Sequence, residues 1–191
     1  MIYQPGRRVV GKHSVRLNGL TDLLFHAPGA SVLDVGCNRG IQLYEMYLNG
    51  ARLVHGIDLA PDAIENARAI FADEVGAQVQ FEVGDLTRGA AALAPFGDGN
   101  YDIVMMIATY HKLARPPSKP YQELGAQGMS ADELSEFVRH LGRRTTKFFA
   151  FKAPNMDAFA QIDKDMSNAG LRRVHTSEMC TIGPAGIWRR G

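Results

Sequence analysis

The sequence predicts an α/β fold: a doubly wound, mostly parallel sheet of seven strands with helices on both faces, in a single domain. Three observations predict it. Short apolar runs alternate with amphipathic stretches along the chain, which is the signature of strands joined by crossover helices. The first run ends in a glycine-rich turn, and acids follow the second and third runs. The 191 residues suffice for one full-sized core and leave little room for a second.

Each element has a local cause. Residues 1–29 form a leader, with an amphipathic helix expected over 15–25, where Val15, Leu17, Leu20, Leu23 and Leu24 fall at helical spacing. Ala27-Pro-Gly-Ala breaks it. A buried strand follows at 31–35 (SVLDV), then a helix at 41–48 ended by Asn49-Gly50. A second strand covers 53–59. Pro61 opens a helix running to about residue 74, since proline is tolerated at the first helical position. Strands are expected at 79–83 and 101–107. Ser130 with Glu133 three residues later is a capping-box pattern, starting a helix to about residue 141. A strand at 147–151, a helix at about 155–168 stopped by Gly170, and strands at 171–176 and 187–189 complete the sheet. Residues 108–129, with three prolines and two glycines, lack sustained periodicity and read as a long loop after the fourth strand, a position where function concentrates.

Composition excludes several classes. Cys37 and Cys180 are too few for a disulfide framework, which favours a reducing compartment. No apolar run approaches the roughly 20 residues of a membrane span, and the leader lacks the apolar stretch of a signal peptide, so a soluble, cytoplasmic protein is expected. The net charge of +1 conceals an asymmetry: residues 45–110 carry ten acids against three bases. Basic residues gather at Arg7, Arg8, Lys12 and Arg16, and again at Arg139, Arg143, Arg144, Lys147 and Lys152. Such clusters suit a phosphate-bearing partner or, more commonly, a solvated face.

The most informative segment is Asp34-Val-Gly36-Cys-Asn38-Arg-Gly40, between a strand and a helix. Glycines there let the backbone approach a ligand, as in folds that hold nucleotides. Asp58 ends the second strand 22 residues beyond Gly36, where a carboxylate accepts both ribose hydroxyls. Charge selects among nucleotides. Asp34 stands just before the loop, and two like charges about 4 Å apart repel by roughly 4 kcal/mol at an effective dielectric of 20. A pyrophosphate is therefore disfavoured, whereas S-adenosylmethionine, with its cationic sulfonium and amino group, is attracted. Asp85, after the third strand, is placed to accept a hydrogen bond from the adenine amine.

Through Asp34-x-Gly36-x-x-x-Gly40, Asp58, Asp85 and the strand Tyr101-Asp-Ile-Val-Met-Met-Ile, the sequence resembles the class I S-adenosylmethionine-dependent methyltransferase family, closely over about residues 30–110. The resemblance implies a Rossmann-like sheet and S-adenosyl-L-methionine as cofactor. It gives Gly36 and Gly40 to the methionine part, Asp58 to ribose and Asp85 to adenine. Asp34, Asn38, Leu59 and Leu86 complete the expected cofactor set. Asn38 departs from the family's frequent middle glycine, but asparagine tolerates positive φ better than most residues. Asp85 has a plainer alternative as a cap for the turn that follows. Cys37 reads as a packed loop residue, and His55 receives no chemistry.

Ligands in such sheets bind at the carboxyl ends of strands, so the methyl acceptor is expected near Ala108-Thr-Tyr-His111. His111 is the candidate catalytic base, because an imidazole with an ordinary pKa near 6.5 accepts an alcohol's proton at neutral pH. A dedicated base is optional, since holding the acceptor against an activated methyl already accelerates transfer. Tyr110 and Lys152 are candidate substrate-binding residues, Lys12, Arg16 and the 108–129 loop candidate lid elements, and no metal is expected. The sequence therefore predicts an enzyme methylating a small-molecule or sugar-like acceptor on oxygen. His111 stands where nucleobase methyltransferases often carry an Asn/Asp-Pro-Pro-Tyr box. An RNA methyltransferase using the basic leader and Lys152, a catalytically idle cofactor-binding module and a nicotinamide oxidoreductase are the alternatives.

Overall fold

The computed structural model describes residues 17–74, 78–152, 156–177 and 183–191. The apolar runs become a seven-stranded sheet: β1 (Ser31–Val35), β2 (Leu53–Asp58), β3 (Gln78–Val83), β4 (Tyr101–Ile107), β5 (Thr145–Lys152), β6 (Leu171–Ser177) and β7 (Ala185–Arg190). Their spatial order is β3-β2-β1-β4-β5-β7-β6. The first five strands run parallel, while β7 lies antiparallel to both β5 and β6. The order reverses between β1 and β4, so the loops leaving these two strands diverge and leave a crevice at their carboxyl ends.

Both faces of the sheet are covered, which explains why β1 is buried at all five positions rather than alternating. Side chains still alternate between two cores. Leu33, Val35, Val104 and Met106 join one apolar cluster with Phe137, Phe149 and Trp188. Val32, Ile103, Met105 and Ile107 join the other, with Leu43 and Ile64. The helices supplying these faces are α1 (Ile41–Leu48), α2 (Pro61–Ile70), α5 (Ala131–Arg143) and α6 (Met156–Asn168), with two short turns, α3 (Tyr110–Leu113) and α4 (Lys119–Glu123), between β4 and α5. The capping box forms: Ser130 N donates to Glu133 at 2.7 Å, and Glu133 N donates to the Ser130 hydroxyl at 3.3 Å.

Three expectations need correction. The helix over 15–25 is interrupted: Gly19 turns the chain at φ +80°, and Thr21–His26 is a 3₁₀ segment, while Val15 lies outside the described residues. Apolar spacing alone could not register that break. The helix from Pro61 ends at Ile70, four residues early. Residues 108–129 are not an open loop but contain α3 and α4, tied back by a bridge between Ala114 and Met129. The second basic stretch is also consumed internally. Arg139 pairs with Glu136 and Asp165, Arg143 with Glu136, and Lys147 with Asp102. Arg144 donates to the Gly97 and Gly99 carbonyls. Among the described residues no helix is long and apolar enough to cross a membrane.

Candidate active site

The turn after β1 is fixed by the neighbouring strand. The Gly36 and Cys37 amides both donate to the Ile57 carbonyl, at 2.9 and 3.0 Å. Gly36 has φ +85°, and a Cβ there would collide with the Thr109 side chain at the end of β4. Glycine is thus required twice, for its backbone and for the close approach. Asn38 takes the left-handed conformation at φ +50°, as its residue type permits, and Gly40 at φ +71° leads into α1.

Asp58 closes this turn onto β2. Its Oδ2 accepts from the Asn38 amide at 2.9 Å and its Oδ1 from the Ala60 amide at 3.1 Å. The carboxylate is buried, yet it has about four acceptor positions. The two amides occupy about half of them and fix its orientation toward the crevice loops. Asp34, buried within β1 between Gly56 and Met105, lies beneath the same turn. The field of these acids is visible in Cys37: burial first, then Asp34 and Asp58, push its thiol well above the ordinary range. The thiol therefore stays protonated and is no nucleophile. A negative field at a glycine turn suits a cationic ligand and opposes a diphosphate, so the residues present fit S-adenosylmethionine.

Asp85 precedes a 3₁₀ segment, Leu86–Phe96, as its N-cap. Its Oδ1 accepts from the Thr87 amide at 2.9 Å and the Thr87 hydroxyl at 2.6 Å. The plainer capping role is thus real, and it holds the carboxylate at the carboxyl end of β3. Leu59 and Leu86 are buried in the apolar cluster beneath.

Across the crevice, β4 is followed by Ala108, a non-glycine residue at φ +55°, whose amide donates to the Lys152 carbonyl at 3.1 Å. Such strained backbone concentrates at functional sites. Thr109 follows, 1% exposed, then α3 with Tyr110 and His111. The Tyr110 ring meets Phe151 edge-on at 5.7 Å, and burial followed by Asp165 raises its hydroxyl's pKa. The exposed His111 has its pKa lowered, first by partial desolvation of the ring and then by the adjacent Lys112. Lys152, at the end of β5, is fully buried and donates through Nζ to the Asn18 carbonyl at 2.9 Å. It ties the leader to the sheet. Lys12 and Arg16 lie outside the described residues.

Sequence reasoning placed Ala108 and Thr109 in the acceptor segment without foreseeing the strained backbone of the one or the packing of the other on Gly36, and it missed Tyr121 of α4. Only Thr109 had a signal, since a glycine turn between two parallel strands must be packed by something small. A separate cleft of about 480 Å³ is lined by Thr87, Arg88, Met129, Glu133, Phe137 and His140 among others, and by no residue of the ends of β1, β4 or β5.

Comparison with known proteins bears on the family and the fold. A family model described as "Methyltransferase domain" matches residues 32–124. A magnesium-protoporphyrin O-methyltransferase of Rhodobacter capsulatus is 25% identical over 149 residues, covering 78% of this chain and 56% of that protein. A ubiquinone biosynthesis O-methyltransferase of Burkholderia thailandensis is 36% identical over 102 residues, 53% of this chain and 41% of that one. The chain thus spans about half the length of these curated relatives. The crystal structure of magnesium protoporphyrin IX methyltransferase from Synechocystis PCC 6803 with bound S-adenosylmethionine superposes with a TM-score of 0.64 at 20% identity. It covers 97% of this chain and 87% of that one, a likeness of fold.

Proposed function

We propose that this chain, which belongs to the class I S-adenosylmethionine-dependent methyltransferase family, moves a methyl group to an oxygen of a small-molecule or sugar-like acceptor. The observation that carries the reading is the Asp58 clamp, which fixes the glycine turn and leaves carboxylate acceptor capacity for ribose hydroxyls. When bound, S-adenosylmethionine supplies a methyl already activated on a sulfonium.

The chain's own residues then have positional work. Asp58 takes the ribose, Asp85 the adenine amine, and Gly36, Asn38 and Gly40 admit the methionine part to a backbone with no bulky side chain. Leu59 and Leu86 give the nucleoside an apolar floor, and Asp34 adds its field. Tyr110 borders the acceptor, and Lys152 fixes the chain against which it rests. His111 accepts the proton that an alcohol oxygen loses as it gains the methyl. Its lowered pKa keeps the imidazole neutral, hence able to accept, at pH 7.

Two relatives named as O-methyltransferases support oxygen as the acceptor atom. A nucleic-acid acceptor is less well served at Lys152, whose buried ammonium donates to the Asn18 carbonyl; the basic leader lies outside the described residues. The test is an incubation with methyl-labelled S-adenosylmethionine and parallel panels of small phenols, carboxylic acids, sugars and structured RNA. Label in a hydroxyl-bearing small molecule is expected; label in RNA alone would overturn the proposal.

A further inference from the structure

Tyr121 is the residue whose chemistry the site described so far does not use. It sits on α4 and is 5% exposed, in the same apolar cluster as Leu59, Leu86, Leu113 and Met129. Its surroundings are well tied. The Tyr121 amide donates to the Ser118 carbonyl at 2.8 Å, and its own carbonyl accepts from the Ala126 amide at 2.9 Å. The segment is clasped by Met129 N donating to Leu113 O at 2.7 Å and Arg115 N donating to Met129 O at 2.9 Å. The Lys112 ammonium stands 5.9 Å over the ring. Yet the buried hydroxyl has no hydrogen-bond partner among the described residues.

Nature rarely leaves such a group unsatisfied without a use. The apolar cluster that buries the ring also holds Leu59 and Leu86, the residues directly after Asp58 and Asp85 at the ends of β2 and β3. Burial raises the phenol's pKa, and Asp58, Cys37 and Asp85 raise it further. The same two carboxylates flank the space assigned to the nucleoside. A phenol held protonated there is a donor as well as an acceptor.

We infer that the Tyr121 hydroxyl is a cofactor-binding group, which hydrogen-bonds the nucleoside held between Asp58 and Asp85 and makes the 114–129 segment a wall of the cofactor site. This rests on the S-adenosylmethionine reading above.

The test is Tyr121→Phe, which keeps the ring and removes the unsatisfied oxygen, titrated calorimetrically with S-adenosylhomocysteine and with adenosine. Affinity for both is expected to fall by about 3–10-fold, the scale of one hydrogen bond. The ligand-free variant is expected to melt no lower than the wild type, because the orphaned group is gone. Unchanged affinity for S-adenosylhomocysteine would overturn the assignment, as would a loss seen with S-adenosylhomocysteine but not with adenosine. Wild-type protein that fails to bind S-adenosylhomocysteine overturns the parent reading as well. Wild-type binding that Asp58→Ala weakens and Tyr121→Phe does not overturns Tyr121 alone.

Discussion

Gly36 and Gly125 share the same backbone angle, φ +85°, and nothing else. Gly36, on the cofactor side, is pressed against Thr109, while Gly125, in the segment beyond β4, has open space where its Cβ would be. The contrast extends to the regions around them. The loops after β1 and β2 are bound by short local hydrogen bonds, Gly36 and Cys37 to Ile57 and Asn38 to Asp58. The 108–129 segment is held mainly by bonds within itself, among them Ser118 to Lys112, Ala126 to Tyr121, and Arg115 and Leu113 to Met129. One turn is fixed by the neighbouring strands of the sheet, and the other segment folds mostly on itself.

The largest effect is expected of Gly36→Ala. Left-handed strain and overpacking against Thr109 together should destabilise by about 2–5 kcal/mol, whereas Gly125→Ala carries the strain alone, about 1–2 kcal/mol. Urea unfolding of both variants checks it; equal losses would mean that Thr109 yields freely. His111→Gln should lower kcat by about 100-fold or more while S-adenosylhomocysteine affinity stays unchanged. Unchanged turnover would reduce His111 to a positioning role. Asp58→Ala should weaken S-adenosylhomocysteine binding by about 1.5–3 kcal/mol in calorimetry, the range for hydrogen bonds to a charged group.

The same contrast governs what the sequence could reveal. Asp34, Gly36, Gly40 and Asp58 were legible because a glycine turn between parallel strands and an acid at the next strand's end recur at fixed spacing. The strands were legible too, since fully buried runs such as SVLDV have no competing pattern. Tyr121 was not: it lies among prolines at 116, 117 and 120, and its burial depends on a clasp that closes only in three dimensions. The 3₁₀ segment Leu86–Phe96 was missed for a related reason, because Gly89 at φ +62° kinks it and erases the helical period. Asp85 was read for its ligand role and, as the alternative, for its cap, and the cap is what the hydrogen bonds to Thr87 make.

Asp85→Ala should lower stability by about 1 kcal/mol through the lost cap. Acid should act mildly. His55, His111 and His140 all have lowered pKa values, with burial the leading cause in each. A depressed folded pKa means that the unfolded chain takes up protons first. Stability is thus full above about pH 6.5 and declines as pH falls below it. Melting temperature measured from pH 8 to pH 5 should decline accordingly, and a flat profile would contradict it.

A crystal structure of the protein with S-adenosylhomocysteine would show whether the crevice beside β1 takes a sulfur nucleoside. Ribose hydroxyls on Asp58, adenine beside Asp85 and the sulfur turned toward Thr109 and His111 are the arrangement expected. A nucleoside bound elsewhere, or Asp58 engaged only by Asn38 and Ala60 in the complex, would contradict it.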